Sequence, residues 1–187
     1  MKWMIASDIH GSGYYCKELI KAFSTEKADR LLLLGDILYH GPRNDLPKEY
    51  APKEVAELLN NMKDKIFAVR GNCEAEVDQM MLQFPVMAEY VLIPWKERMI
   101  FATHGHTHNE KNCPPLQAGD ILLHGHTHVP VCREFDGYIY MNPGSASIPK
   151  EDSHHGYMIM DESGFIWKDF DGNTIMKKTF DQDLKGK

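Results

Sequence analysis

The sequence predicts an α/β fold in which two mixed β-sheets face each other and helices flank them. Two observations lead to it. The first third alternates short apolar runs with amphipathic stretches, which is the pattern of strand–helix–strand units. Beyond Pro85 the chain becomes a succession of short strand-like runs separated by turn dipeptides. No linker or low-complexity tract divides the 187 residues. One domain over residues 1–187 is therefore expected, with a polar tail from 181 to 187 that frays.

Taken in order, Trp3 to Ala6 is a short buried strand, Tyr14 to Phe23 a helix, and Leu31 to Leu34 a second buried strand. The stretch from His40 to Pro52 carries Gly41, Pro42 and Pro47 and is too rich in breakers to be helical. Pro52 suits the first turn of a helix running to about Met62, with Val55, Leu58, Leu59 and Met62 on its apolar face. Ile66 to Val69 is a third strand and Glu74 to Leu82 a helix. Strands are then expected over Val86–Ile93, Met99–Thr103, Ile121–Leu123, Val131–Phe135 and Tyr138–Met141. Three more follow over Tyr157–Met160, Phe165–Phe170 and Thr174–Phe180. Asp136-Gly137, Ser163-Gly164 and Asp171-Gly172 sit between strand pairs as hairpin turns.

Composition excludes several classes. A hydrophobic share of 43% and a charged share of 26% are those of an ordinary globular protein. No apolar run approaches the roughly 18–20 residues that span a bilayer, so no membrane partner is expected. Ser7-Asp8 interrupts the apolar start too early for a signal peptide, which makes a cytoplasmic location the expectation. Four widely spaced cysteines without a Cys-x-x-Cys pair suit reduced thiols. A net charge of -6 argues against a nucleic-acid partner. Ten histidines is a high number, and their crowding between His104 and His128 points to metal binding.

The candidate site is a set of fragments in fixed order: Asp8-Ile9-His10, Gly35-Asp36, Gly71-Asn72, His104-Gly105-His106 and Gly125-His126-Thr127-His128. Singly they carry little information, since Gly-Asp and Gly-Asn are common turns. Together, each follows an apolar strand. Loops at the carboxyl ends of neighbouring strands converge on one crevice. The i, i+2 spacing of Asp8 with His10 and of His126 with His128 points both members of a pair the same way. Carboxylates, an amide oxygen and imidazoles without thiolate suit Mn²⁺, with Fe²⁺ or Zn²⁺ as alternatives, better than Ca²⁺. Asp36 is the natural bridge, because a carboxylate has two oxygens. Two divalent metal ions roughly 3.5–4 Å apart lower the pKa of a bridging water and clamp phosphoryl oxygens. The glycines beside the ligands are expected to allow tight turns and leave space for substrate.

This ordered set resembles the calcineurin-like metallophosphoesterase superfamily, whose pattern is Asp-x-His, Gly-Asp, Gly-Asn-His-(Asp/Glu), an isolated His and Gly-His-x-His. It is more similar still to the bacterial YfcE-type phosphodiesterase branch, through Ser7-Asp-Ile-His-Gly, Leu34-Gly-Asp, His40-Gly-Pro-Arg-Asn, Val69-Arg-Gly-Asn-Cys, Thr103-His-Gly-His, Gly125-His-Thr-His and Asn142-Pro-Gly-Ser. The resemblance implies a four-layer α/β/β/α sandwich with two mixed β-sheets. It implies one metal held by Asp8, His10, Asp36 and His128, and a second held by Asp36, Asn72, His104 and His126. A homo-oligomer, dimer or tetramer, is also implied.

The surplus histidines then divide. His106 is a near-site residue that contacts phosphate, orients a ligand or is merely structural, while His108 and His124 are expected to be non-ligands, the latter simply ending a strand. Where much of the superfamily has a His after Gly-Asn, this chain has Cys73. A thiol with a reference pKa of about 8.5 is a poorer proton donor than imidazolium at neutral pH. Cys73 is thus the candidate catalytic residue on the leaving-group side, or a plain buried thiol. It is not a Cys-x5-Arg nucleophile, because Gln79 stands where the Arg is needed. Arg43 and Asn44 in the long loop are candidates to reach the substrate.

The expected activity is hydrolysis of small phosphodiesters by direct attack of a metal-bridging hydroxide. A phosphomonoesterase, a nuclease, or a non-catalytic scaffold such as the retromer subunit of the same fold are the alternatives.

Overall fold

In a computed structural model of the protein, residues 1–180 are described; the tail from 181 to 187, expected to fray, lies outside the described residues. The strands in chain order are Trp3–Ala6 (β1), Arg30–Leu33 (β2), Ile66–Ala68 (β3), Tyr90–Trp95 (β4), Arg98–Thr103 (β5) and Asp120–Leu123 (β6). They continue with Pro130–Glu134 (β7), Tyr138–Pro143 (β8), Gly156–Met160 (β9), Gly164–Asp169 (β10) and Thr174–Thr179 (β11). The helices are Gly13–Thr25 (α1), Pro52–Asn60 (α2) and Glu76–Met81 (α3).

β1, β2 and β3 form a parallel ladder, with Ile5 opposite Leu32 and Leu32 opposite Phe67. Parallel neighbours need a crossover, and α1 and α2 supply one each. Ser12 caps α1 by accepting a hydrogen bond from the Tyr15 amide at 3.2 Å, and Pro52 opens α2, where a missing N–H is harmless. The buried faces, Cys16, Leu19 and Phe23 on α1 and Val55 and Leu59 on α2, recur at the helical period.

Two mixed sheets result, ordered β11-β10-β9-β1-β2-β3 and β4-β5-β6-β8-β7. Alternation along β1 and β2 sends Met4, Ala6, Leu31 and Leu33 toward the helices and Ile5 and Leu32 toward the other sheet. There Ile5, Leu32, Leu34 and Val69 join Ile100, Ala102, Ile121, Leu123 and Met141 in the core between the sheets. The expected pair of mixed sheets with helices is the architecture observed.

Most boundaries agree to within one to three residues. The strand expected from Val86 to Ile93 is displaced: residues 86–89 precede β4, which instead runs through Pro94 to Trp95. Their polar groups are satisfied outside the sheet, with the Val86 amide on the Gln79 side chain at 3.0 Å and the Ala88 carbonyl on the Arg70 amide at 2.7 Å. Pro94 is tolerated because β4 is an edge strand. The helix expected from Glu74 begins at Glu76, and Glu74 itself is buried at the carboxyl end of the first sheet.

What positions the site is the set of parallel strands. β1, β2 and β3 in one sheet and β5, β6 and β8 in the other end on the same crevice, as shown by the His126 amide donating to Asp8 Oδ2 at 3.1 Å.

Candidate metal centre

Asp8 and His10 leave β1 in a tight turn, Asp36 leaves β2, Asn72 and Cys73 follow β3, His104 follows β5, and His126 and His128 follow β6. Five of these have left-handed backbone: φ is 58° at Asp8, 50° at His10, 53° at Asp36, 66° at His126 and 65° at His128. Asp and His are enriched among the few non-glycine residues that tolerate this region, and such strain concentrates at functional sites. Glycines beside them have a packing reason. A Cβ on Gly71 would sit 2.2 Å from Asp36 Oδ1, and one on Gly125 would sit 1.9 Å from Ser7 Oγ and 2.7 Å from Asp8 Oδ2. These two glycines make room for the site's own side chains, where room for substrate was expected.

Backbone carbonyls set the imidazole tautomers. His10 Nδ1 lies 2.8 Å from the Tyr39 carbonyl, His104 Nδ1 2.6 Å from that of Leu34, and His128 Nδ1 2.6 Å from that of Ile148. Each Nδ1–H donates there, so in the neutral form each Nε2 presents a lone pair to the crevice. His10 Nε2 and His128 Nε2 are 3.3 Å apart, and Asp8 Oδ1 lies 3.6 Å from the first and 3.3 Å from the second. On the other side His104 Nε2 faces Asn72 Oδ1 at 3.1 Å and His126 Nδ1 at 3.2 Å. Asp36 lies between, with Oδ2 3.8 Å from His10 Nε2 and Oδ1 3.5 Å from His104 Nε2.

Acceptors facing acceptors at these distances repel, and a proton or a metal cation between them relieves the repulsion. Among the described residues two buried side-chain atoms lack a hydrogen-bond partner, and one is Asp8 Oδ1, in the middle of the cluster. The donor set therefore fits divalent metal ions. Asp8, His10 and His128 place one ligand atom each within 4.8 Å of one another, as do Asp8, Asp36 and His104.

Without metal, protons take that role. Burial alone would lower His104, yet the Asp36 carboxylate and the nearby Asp8 raise it to about 9. His10 is raised in the same way by Asp8 against its burial. His126 is lowered to about 4 by burial and by His104. Burial would raise Asp8, but His10 and His128 hold it well below the ordinary carboxylate range.

Cys73 lies at the edge of this cluster, its sulfur within 4.8 Å of ligand atoms of His10 and Asp36. Its amide donates to Asp36 Oδ1 at 2.9 Å, and Asn72 Nδ2 lies 3.2 Å from the sulfur. Burial and the Asp36 charge push the thiol far above its usual range, so it stays protonated. The loop carrying Arg43 and Asn44 turns over it: Asn44 Nδ2 donates to the His40 carbonyl at 2.8 Å, and a Cβ on Gly41 would lie 3.3 Å from the Cys73 sulfur.

His106 is exposed at the rim, its ring 5.4 Å from that of His104 and 6.4 Å from that of His126. His108 packs edge-on against Phe101, away from the cluster. His124 does more than end a strand. It is buried, 2.8 Å from Glu110 Oε2, 3.0 Å from the Gly125 carbonyl, and stacked on Tyr140.

Sequence reasoning assigned no role to Glu74 here. Its buried carboxylate accepts from the amides of Asp36 at 2.9 Å, Ile37 at 2.7 Å and Gly71 at 2.5 Å, clamping the loops after β2 and β3 together. The stretch Asn142-Pro-Gly-Ser145 was expected to shape the backbone near the crevice, while Ser147 went without a role; the Ser145 and Ser147 hydroxyls donate to the Asp8 carbonyl at 2.9 and 3.0 Å. Nothing in residue type alone marks such backbone contacts.

Buried carboxylates and imidazoles at the parallel-strand ends of two facing sheets form the working arrangement of metal-dependent phosphoric ester hydrolases. Comparison with known proteins then identifies the family. The chain belongs to the calcineurin-like phosphoesterase superfamily, whose domain model matches residues 1–164. It is 46% identical over 161 residues to phosphodiesterase YfcE of Escherichia coli, covering 86% of this chain and 88% of that protein. The solved structure of that phosphoesterase superposes with a TM-score of 0.93 at 42% identity, covering 96% of this chain and 99% of the other. A phosphodiesterase of Methanocaldococcus jannaschii is 24% identical over 152 residues, covering 77% of this chain and 83% of its own length. Vps29 of Chaetomium thermophilum shares the fold, with a TM-score of 0.62 at 17% identity over 96% of this chain and 98% of that one.

Proposed function

We propose that the protein is a binuclear metal-dependent phosphodiesterase acting on small phosphodiesters. Asp8, His10, Asp36 and His128 would hold one cation, and Asp36, Asn72, His104 and His126 the other. The observation that carries this is the position of Asp36, whose two oxygens face imidazoles of the two separate clusters at 3.8 and 3.5 Å. When bound, the cations supply Lewis acidity, which lowers the pKa of a water and neutralises charge on phosphoryl oxygens. Manganese fits the mixed nitrogen and oxygen donors, as do iron and zinc.

The chain's own groups do the remaining work. Cys73 lacks the arginine of a Cys-x5-Arg loop, since Gln79 stands in its place, so in this scheme water attacks phosphorus without a covalent enzyme intermediate. A thiol is a weaker proton donor than the imidazolium it replaces, which favours esters with good leaving groups. A diester carries one negative charge where a monoester approaches two, and Arg43 and Arg70 are the only arginines near the motifs. Arg43 and Asn44, on the loop over Cys73, face the organic portion of the ester in this scheme. Residues 1–187 act as one domain: the family match stops at 164, but β10 and β11 continue the sheet that contains β1. A cytoplasmic setting suits four cysteines that are all free.

The test is turnover of bis-p-nitrophenyl phosphate against p-nitrophenyl phosphate, by protein purified without chelator and supplied with Mn²⁺. Diester turnover is expected, lost in His104→Ala and His128→Ala and kept in His108→Ala. Absence of turnover with two bound Mn²⁺ confirmed would remove the enzymatic assignment. Turnover of the monoester alone would remove the diesterase.

A further inference from the structure

We propose that Asn142 is a positioning residue for both metal sites, its side-chain amide holding the strained Gly125–His128 turn so that His126 and His128 face the crevice together. The inference rests on the ligand assignment proposed above. Asn142 touches neither the cations nor the substrate in that scheme.

The placement follows from strand register. β6 and β8 run parallel with Leu123 opposite Met141, and the His124 amide donates to the Met141 carbonyl at 3.0 Å. Asn142 therefore comes next, beneath Gly125, and is completely buried. Its Nδ2 lies 2.8 Å from the Gly125 carbonyl, 3.0 Å from Thr127 Oγ1 and 2.9 Å from the Tyr140 hydroxyl. Oδ1 accepts from the Gly144 amide at 2.8 Å, so reversing the amide would set two carbonyl oxygens against each other. The Asn142 main-chain carbonyl is itself held by Trp167 Nε1 at 2.6 Å.

The turn it supports does not hold itself. The Thr127 amide donates back to the Gly125 carbonyl at 2.7 Å around His126, whose φ is 66°. Three-residue turns with positive φ at the centre are the rare, strained kind. His128 is also left-handed, at 65°. Asn142 ties down the first and third residues of that turn, Gly125 by its carbonyl and Thr127 by its hydroxyl. With both residues left-handed instead of extended, they do not point the same way as their i, i+2 spacing suggested: His126 faces His104, and His128 faces His10 and Asp8. A single amide thus serves both.

The experiment measures Mn²⁺ binding to metal-free protein by calorimetry, with the unbound-manganese spectroscopic signal as a second readout. Asn142→Asp keeps the shape and removes the donors, and partners behind metal ligands are each worth about 10–100-fold in affinity. Both sites are expected to weaken by about that factor. Tyr140→Phe removes a member of the same buried network but leaves the bonds to Gly125 and Thr127, so its affinity should stay close to wild type. Unchanged binding in Asn142→Asp overturns the proposal, as does an equal loss in Tyr140→Phe. If Asn142→Asp does not fold, Thr127→Val decides, with a loss of about fivefold expected from one missing hydrogen bond and no loss overturning the proposal. Wild type binding fewer than two Mn²⁺ would instead count against the ligand assignment, a separately visible failure.

Discussion

Replacing Glu74 by glutamine tests the clamp that sets the distance between Asp36 and Asn72. The carboxylate accepts from three buried amides, with Oε2 serving Asp36 and Gly71 and Oε1 serving Ile37. The new amide keeps most by turning its oxygen to the Oε2 position, which leaves the Ile37 N–H facing an NH₂ group. That lost charged bond is worth about 1.5–3 kcal/mol. The two retained bonds change from charge-assisted to neutral acceptors and lose roughly 1 kcal/mol each. A total of about 3.5–5 kcal/mol is a large share of the typical 5–15 kcal/mol of a domain. At roughly 2–4 °C per kcal/mol for this size, Tm should fall by roughly 7–20 °C. Differential scanning calorimetry on metal-free protein measures it. Because the amides of Asp36 and Gly71 shift, Mn²⁺ affinity should fall as well. A Tm within about 2 °C of wild type would refute the reasoning, since three buried donors cannot lose their charged acceptor at no cost.

Two further outcomes are expected. Metal-free protein should lose stability as pH rises from 6.5 to 9. His104 is raised from 6.5 to about 9 in the fold, so its contribution is complete below 6.5 and lost through 9, at most about 3 kcal/mol. Thermal melts in chelator across that window measure it, and a flat profile would contradict the proton-for-metal exchange. Cys73→Ala should hydrolyse the activated diester within about fivefold of wild type, because a good leaving group needs little help from an acid as weak as a thiol. A loss of 100-fold or more would make Cys73 a participant.

Legibility in the sequence followed the range of the interaction. β1 and α1 were legible because their apolar period is local, and the convergence of Asp8, His10, Asp36, Asn72, His104, His126 and His128 on one crevice because each follows such a strand. The displaced β4 was not, because Val86 is apolar for a reason other than sheet pairing: it packs in the core shared by β1, β2 and the helices. Glu74 read as the first residue of a helix by charge and position. Its actual partners are amides up to 38 residues away in sequence.

The chain by itself determined the fold class, the ordered donors and the substitution of Cys73 for an expected histidine, since these are matters of residue type and short spacing. Only the tertiary structure decided which nitrogen of His10, His104 and His128 faces the crevice, and that Glu74 and Ser147 hold the loops around it. Those facts depend on backbone carbonyls and amides brought together from strands distant in sequence. Every residue carries the same backbone groups, so no pattern of side chains announces them.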